Sequence, residues 1–274
     1  MNAFVDWVAY WLADFFLAAT VLLAAALVAI RCCRQPAKRL AVAKAVIVAI
    51  GVLAGLCALP GWSPISLAWT APVEEAVAEV PGQTLVSEGA AAELAKVVDV
   101  HGMAEAAPVS SPTVQSGQVA SGPRLSWLGV LVAVYVAGCG VVAVWLLAGM
   151  VAARRLVRRA EPATIELGNE FRAAGDGESI LVELLVSREI DVAVAIGVWR
   201  PRVLLPQGWS ESRSADELRA ILAHELAHVR NGDLRWLAAS RLLLVLLWAQ
   251  PLYWWLRRQM RLDQETLADA VAAE

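Results

Sequence analysis

Three long apolar runs, at residues 7–30, 41–59 and 125–151, dominate the hydropathy pattern of the chain. Each holds about the 20 residues that a helix needs to cross a hydrocarbon core roughly 30 Å thick, so each predicts a membrane span. Residues 60–124, between the second and third runs, have no strong periodicity. They are rich in Ala, Pro, Gly, Ser and Val, and Pro-Gly, Ser-Pro and Ser-Gly pairs mark loops. Apart from a short helix at 90–100, this stretch is expected to be largely disordered. Beyond the third run the pattern mixes. A basic helical stretch is expected to about Ala173, then a turn at Gly175-Asp-Gly177. Residues 180–187 and 191–196 are rich in Val, Ile and Leu, and Val192, Val194 and Ile196 alternate with smaller residues as a strand does. Val203-Leu204-Leu205, between Pro201 and Pro206, predicts another short strand. A helix follows over about 215–231. Leu218, Ile221, Leu222, Leu226 and Val229 supply its apolar face, Ser214 with Glu217 its capping box, and Asn231-Gly232 its stop.

Composition turns this pattern into a membrane protein. Hydrophobic residues make up 59% and charged residues 18%, outside ordinary soluble usage. The net charge of −3 hides an asymmetry. Arg31, Arg34, Lys38 and Arg39 follow the first run, and Arg154, Arg155, Arg158 and Arg159 follow the third. The stretch 60–124 carries seven acidic residues against Lys96 and Arg124. By the positive-inside rule both basic clusters are cytoplasmic, the N-terminus and the 60–124 loop are outside, and everything from Ala152 is cytoplasmic. No basic leader or cleavage site precedes the first run, so it is expected to remain as a span. The arginines flank spans, which explains them without nucleic acid. Cys57 and Cys139 lie within spans and Cys32-Cys33 beside a basic cluster, so no disulfide framework is expected.

The candidate chemistry lies in A-H-E-L-A-H-V-R, residues 223–230. His224 and His228, two of only three histidines, fall four apart on one helix face and can reach one metal ion, with Glu225 able to touch its water. That is the zinc-hydrolase spacing: two neutral imidazoles, an open position for water, and a carboxylate to take its proton. A surface helix also produces five such residues by chance, and a third ligand would decide. Downstream, Glu265-Thr-Leu-Ala-Asp269 reads as E-x-x-x-D on a second helix. Glu265 can be a carboxylate ligand, and Asp269 can accept the free ring N–H of a ligating histidine. By itself this is also an ordinary solvated helix face. His101 stands alone and reads as a solvated residue.

Several segments together resemble the BlaR/MecR-type antirepressor membrane metallopeptidases. They are Ile196-Gly197 with Arg200-Pro-Arg-Val-Leu-Leu-Pro206, then L-R-A-I-L-A-H-E-L-A-H-V-R-N-G-D-L over 218–234. W-A-Q-P-L-Y-W-W over 248–255 and the following E-T-L-A-D complete the set. The likeness runs from about Val182 to Ala273. It implies a multi-pass α-helical membrane protein with a small α+β zincin-like cytoplasmic metalloprotease domain at 152–274. It also implies one zinc ion (Zn2+) on His224, His228 and Glu265, with Asp269 behind a ligand and Glu225 as the base. The implied activity is zinc-dependent endopeptidase action in bacterial signal transduction, on a cytoplasmic protein substrate such as a transcriptional repressor. The other expected partners are the lipid bilayer of the inner (plasma) membrane and, as an open option, a second copy of the chain in a homodimer. No direct nucleic-acid contact is expected. The C-terminal sensor domain that such proteins carry is expected to be missing beyond Glu274. H-V-R-N-G-D is also similar to the HtpX/CAAX-protease type. The 37 positions from His228 to Glu265 and the three preceding spans favour the antirepressor type. A different class, a catalytically idle membrane sensor or scaffold, is disfavoured by the intact Glu225.

One stretch sets two requirements against each other. Residues 237–256 are long and apolar enough to span, yet a full crossing would place His228 and Glu265 on opposite sides of a core about 30 Å thick. Arg241 and Gln250-Pro251 also interrupt it. The expectation is therefore a segment that enters the membrane or lies along it and returns, with Trp236, Trp248, Trp254 and Trp255 as interfacial anchors.

Overall fold

The computed structural model describes residues 3–59, 127–174 and 182–273. The acidic stretch, the short helix expected at 90–100 and the turn at 175–177 lie outside the described residues. Among the described residues three helices are long and apolar enough to cross a membrane. Helix α1 (Ala3–Cys32) and helix α2 (Pro36–Cys57) form an antiparallel pair across a short turn, with Pro36 in the first turn of α2, where its missing N–H costs nothing. Phe15, Ala19, Leu23, Ala26 and Ile30 recur every three or four residues and bury one stripe of α1 against Leu40, Ala43, Ile47 and Ile50 of α2. Helix α3 (Trp127–Arg159) buries none of its residues. It runs past the apolar segment through both arginine pairs.

The basic stretch after it is not continuous helix, as the sequence pattern suggests, but breaks after Arg159. Pro162 cannot donate a helical hydrogen bond and pushes Glu161 into extended backbone, so Glu161–Pro162 become strand β1. Helix α4 (Ile165–Ala174) resumes beyond it. Strands β2 (Glu183–Ser187), β3 (Val194–Ile196) and β4 (Arg202–Pro206) complete a four-stranded sheet ordered β1-β2-β4-β3. β4 runs parallel to β2 and antiparallel to β3, with Val203 opposite both Leu184 and Ala195. Leu184, Val186, Val203, Leu205 and Ala195 thus turn one face towards Leu167 and Phe171 of α4 and towards the next long helix.

A single turn, α5 (Trp209–Ser212), leads into that helix, α6 (Ala215–Arg230). The Ser214 hydroxyl accepts from the Glu217 N–H while the Glu217 carboxylate accepts from the Ser214 N–H, which fixes where α6 starts. Leu218, Leu222 and Leu226, four apart, lie on the sheet. Gly232, at φ 68°, supplies the left-handed residue that ends the turn. Helix α7 (Asp233–Leu246) and helix α8 (Pro251–Ala272) follow. The chain reverses between them, so residues 237–256 form the two arms of a helical hairpin rather than one crossing. Leu244, Leu247, Tyr253, Leu256 and Met260 are fully buried in a cluster with α1 and α2. The hairpin tip is anchored by Gln250, whose amide donates to the Thr20 hydroxyl at 2.7 Å. Thr20 lies 12 residues before Cys32, about 18 Å along α1 at 1.5 Å per residue. The Tyr135 hydroxyl of α3 donates to the Leu246 carbonyl. Gly138 of α3 lies against the Trp248 ring, where an added Cβ would collide with ring atoms.

Candidate metal centre

Helices α6 and α8 lie side by side, and the hairpin that returns α8 carries Glu265 back to the two histidines. His224 Nε2 and His228 Nε2 stand 3.2 Å apart, and Glu265 Oε2 is 3.5 Å from the first and 3.7 Å from the second. The other ring nitrogens are each held by a carboxylate. His224 Nδ1 is 3.0 Å from Asp269 Oδ1, and His228 Nδ1 is 2.9 Å from Asp233 Oδ2. A carboxylate beside Nδ1 assigns the proton there, so both Nε2 atoms carry lone pairs towards each other and towards an acidic oxygen. Three electron pairs then meet with no hydrogen among them, an arrangement that a cation resolves.

The dimensions agree. Two donors on a tetrahedral zinc, with bonds of about 2.0–2.1 Å, lie about 3.3–3.4 Å apart. The three measured separations bracket that value, and these are the atoms that could hold a metal ion. The site is buried on one side and open on the other. The side chains of His224 and His228 are 22% and 14% exposed, those of Glu265 and Asp269 58% and 72%.

Glu225 lies beside the histidines with the whole residue only 8% exposed. Burial pushes its carboxyl above the ordinary carboxylate value, while the two histidines and a hydrogen bond from the Ala195 N–H of β3 pull the other way. The His228 imidazole is raised chiefly by its hydrogen bond to Asp233, with burial opposing. Every residue singled out for the site in the sequence, His224, Glu225, His228, Glu265 and Asp269, is therefore in one place.

Asp233 is the partner that sequence reasoning missed. It lies five positions beyond His228, across the Asn231-Gly232 turn, where it reads as an ordinary acidic first-turn residue. Its side chain is only 6% exposed, and its other oxygen accepts from Gln264 Nε2 at 3.0 Å. Lys44 of α2 approaches that oxygen to 3.9 Å and donates to the Asn231 carbonyl at 3.2 Å. Asp263, two residues before Glu265, is likewise paired with Arg39. The second span thus holds the site from behind, through pairs more than 180 residues apart.

Comparison with known proteins agrees with this arrangement. Regulatory protein BlaR1 of Bacillus licheniformis is 33% identical over 89 residues, which are 32% of this chain and 15% of that protein. The chain therefore matches only a small part of that relative's length. Residues 14–273, nearly all of the chain from the first helix to the end of α8, match the BlaR1 peptidase M56 family. The chain belongs to the BlaR1 peptidase M56 family of membrane metallopeptidases.

Proposed function

We propose that this protein is a zinc-dependent endopeptidase of the plasma membrane that cuts a cytoplasmic protein in a regulatory role. The observation that carries the reading is the convergence of His224 Nε2, His228 Nε2 and Glu265 Oε2 beside buried Glu225. Those three atoms would hold the ion. Zinc held there would supply a Lewis acid for a peptide carbonyl and would bring the pKa of a bound water down towards about 7. The rest belongs to the side chains. Asp269 and Asp233 hold the Nδ1 protons, so that both Nε2 atoms stay free of hydrogen and fixed in direction. Glu225 takes a proton from the attacking water and returns it to the leaving amine, and its raised pKa suits both halves of that exchange. The Ala195 N–H keeps its carboxylate in place.

The arginine clusters at 31–39 and 154–159 support a cytoplasmic site and an external N-terminus. The family likeness and the name of the relative, a regulatory protein, support a regulatory substrate such as a repressor. The test is zinc content and hydrolysis of a casein-type substrate by the full chain in detergent, wild type against Glu225→Gln. The variant should keep about one zinc per chain and lose activity about 10²–10⁴-fold, the usual contribution of a general base. A variant that hydrolyses peptides at the wild-type rate removes Glu225 from the mechanism.

A further inference from the structure

The α7–α8 hairpin buries one side against the spans and exposes the other, and an unusual charge lies in the seam between its two arms. Arg257 of α8 is 6% exposed. Its Nε donates to the Ser240 hydroxyl at 3.4 Å, and its guanidinium lies 5.5 Å from the Trp254 ring. Its two terminal nitrogens have no hydrogen-bond partner among the described residues, and no carboxylate among those residues lies within ion-pair distance of it. Of the groups that bear on Arg257, the Tyr253 hydroxyl favours its charge, while Arg261, one turn further along α8, and Arg241 of α7 repel it. Neither of these arginines is paired with an acid among the described residues.

A buried guanidinium facing two like charges is costly by itself, and buried charges are ordinarily paired. This molecule places three together and leaves the counter-charge out. The surroundings indicate what supplies it. Leu242 is 71% exposed and Trp254 47%, on the hairpin surface opposite Leu244, Leu256 and Met260, which pack against α1 and α2. The arginines lie 7 to 11 residues from Gln250 at the tip, or about 10–16 Å along the helices. The tip itself reaches about 18 Å along α1 from its basic end, so the arginines fall within a turn or two of that end. Cations, an indole and exposed aliphatic side chains at one level of a membrane helix suit a phosphate with acyl chains beneath it.

We propose that Arg241, Arg257 and Arg261 form a binding site for the phosphate of an anionic phospholipid at the seam between the arms of the hairpin, with Arg257 at its floor and exposed Arg241 and Arg261 at its rim. A guanidinium fork recognises phosphate oxygens directly, and Arg257 is already oriented by Ser240 and Trp254. Because α8 carries Glu265 one turn beyond Arg261, an occupied site would also hold the metal-bearing end of α8 against α7.

The full chain in neutral detergent, titrated with phosphatidylglycerol or with phosphatidylcholine and read by native mass spectrometry, tests this. Wild type should retain phosphatidylglycerol in preference to phosphatidylcholine. Arg241→Gln and Arg261→Gln should each weaken it about fivefold, the worth of one arginine near an anionic lipid surface. Arg258→Gln, an exposed neighbour outside the cluster, should leave binding unchanged and so controls for surface charge. Both cluster residues are exposed, and melting curves check that the variants fold. Equal retention of the two lipids overturns the site, as does equal weakening by Arg258→Gln. Displacement by inorganic phosphate alone would show a site for a free anion and overturn the lipid assignment. Displacement by an acidic peptide but not by phosphatidylglycerol would make it a protein-docking surface instead.

Discussion

The described residues form two apolar cores, and they are held together differently. One lies between the sheet and helices α4 and α6, with Val203, Leu205, Leu218, Leu222 and Leu226 at its centre. Few polar groups enter it; of the residues along it, Glu225 is the buried charge, and that belongs to the chemistry. The other lies among α1, α2, α7 and α8, and polar contacts cross it repeatedly: Gln250 to Thr20, the Tyr253 hydroxyl to the Ser240 carbonyl, Arg39 to Asp263. The difference follows from the solvent outside each. In water, removing apolar area is itself the driving force, at about 25 cal/mol per Å². Next to lipid tails that force is absent, and helices are held by close packing and by hydrogen bonds. The candidate metal centre would take two donors from α6, which rests on the first core, and one from α8, which rests on the second. An ion shared by all three would tie the cores together.

The largest expected effect sets one leucine against another. Leu222→Ala removes a fully buried side chain from the water-facing core and should cost about 2–5 kcal/mol. It should also loosen both histidines and abolish zinc retention. Leu256→Ala removes an equally buried side chain from the hairpin core, where only packing is lost. It should cost clearly less and weaken zinc through Glu265 alone. Thermal melts and zinc content of the two variants in one detergent check this. Equal losses would show that the cores do not differ in kind.

The two carboxylates behind the histidines sharpen the same contrast. Asp269 is 72% exposed, whereas Asp233 is 6% exposed and braced by Gln264 and Lys44. Partners of this type are worth about 10–100-fold in metal affinity. Asp233→Asn should reach the upper part of that range, because nothing can replace the carboxylate there. Asp269→Asn should stay near the lower part, since water can take its place. Competition for zinc with a chromogenic chelator measures both, and a larger loss for Asp269→Asn would reverse the argument.

These pairs also mark what could be read from the chain and what could not. His224, Glu225 and His228 are legible because a helix turns a spacing of four into a face, and Ser214 with Glu217 announces that helix locally. The return of α8 is legible because His228 and Glu265 cannot both reach one ion across a full crossing, and Pro251 offers the break. Asp233 was hidden by the Asn231-Gly232 turn, since spacing rules do not carry around a reversal. Arg39 with Asp263 was hidden more deeply, being 224 residues apart in sequence. Arg39 reads in the sequence as a topology signal, and the structure shows it and Lys44 both reaching the back of the site. Nor does a pattern of short strands state that β4 lies between β2 and β3, because local alternation specifies faces and not neighbours.

The smallest effect concerns the hairpin tip. The Thr20 hydroxyl donates to the Phe16 carbonyl at 2.6 Å and accepts from Gln250 at 2.7 Å, so its capacity is used in both directions. Thr20→Val keeps the shape and removes the acceptor, while Gln250→Leu removes the donor. Hydrogen bonds between helices in a bilayer average only about 0.6 kcal/mol and reach about 1.7, because the unfolded chain in the membrane also finds partners. A double-mutant cycle on the melting free energy should therefore give a coupling in that range. Activity should fall less than threefold, since Glu265 lies 15 residues, or about 22 Å, along α8 from the tip. A coupling near zero would leave the tip held by Tyr135 on the Leu246 carbonyl and by Trp248 packed against Gly138. An activity loss as large as that of Leu256→Ala would mean that the tip, and not the packed middle of the hairpin, sets the position of Glu265.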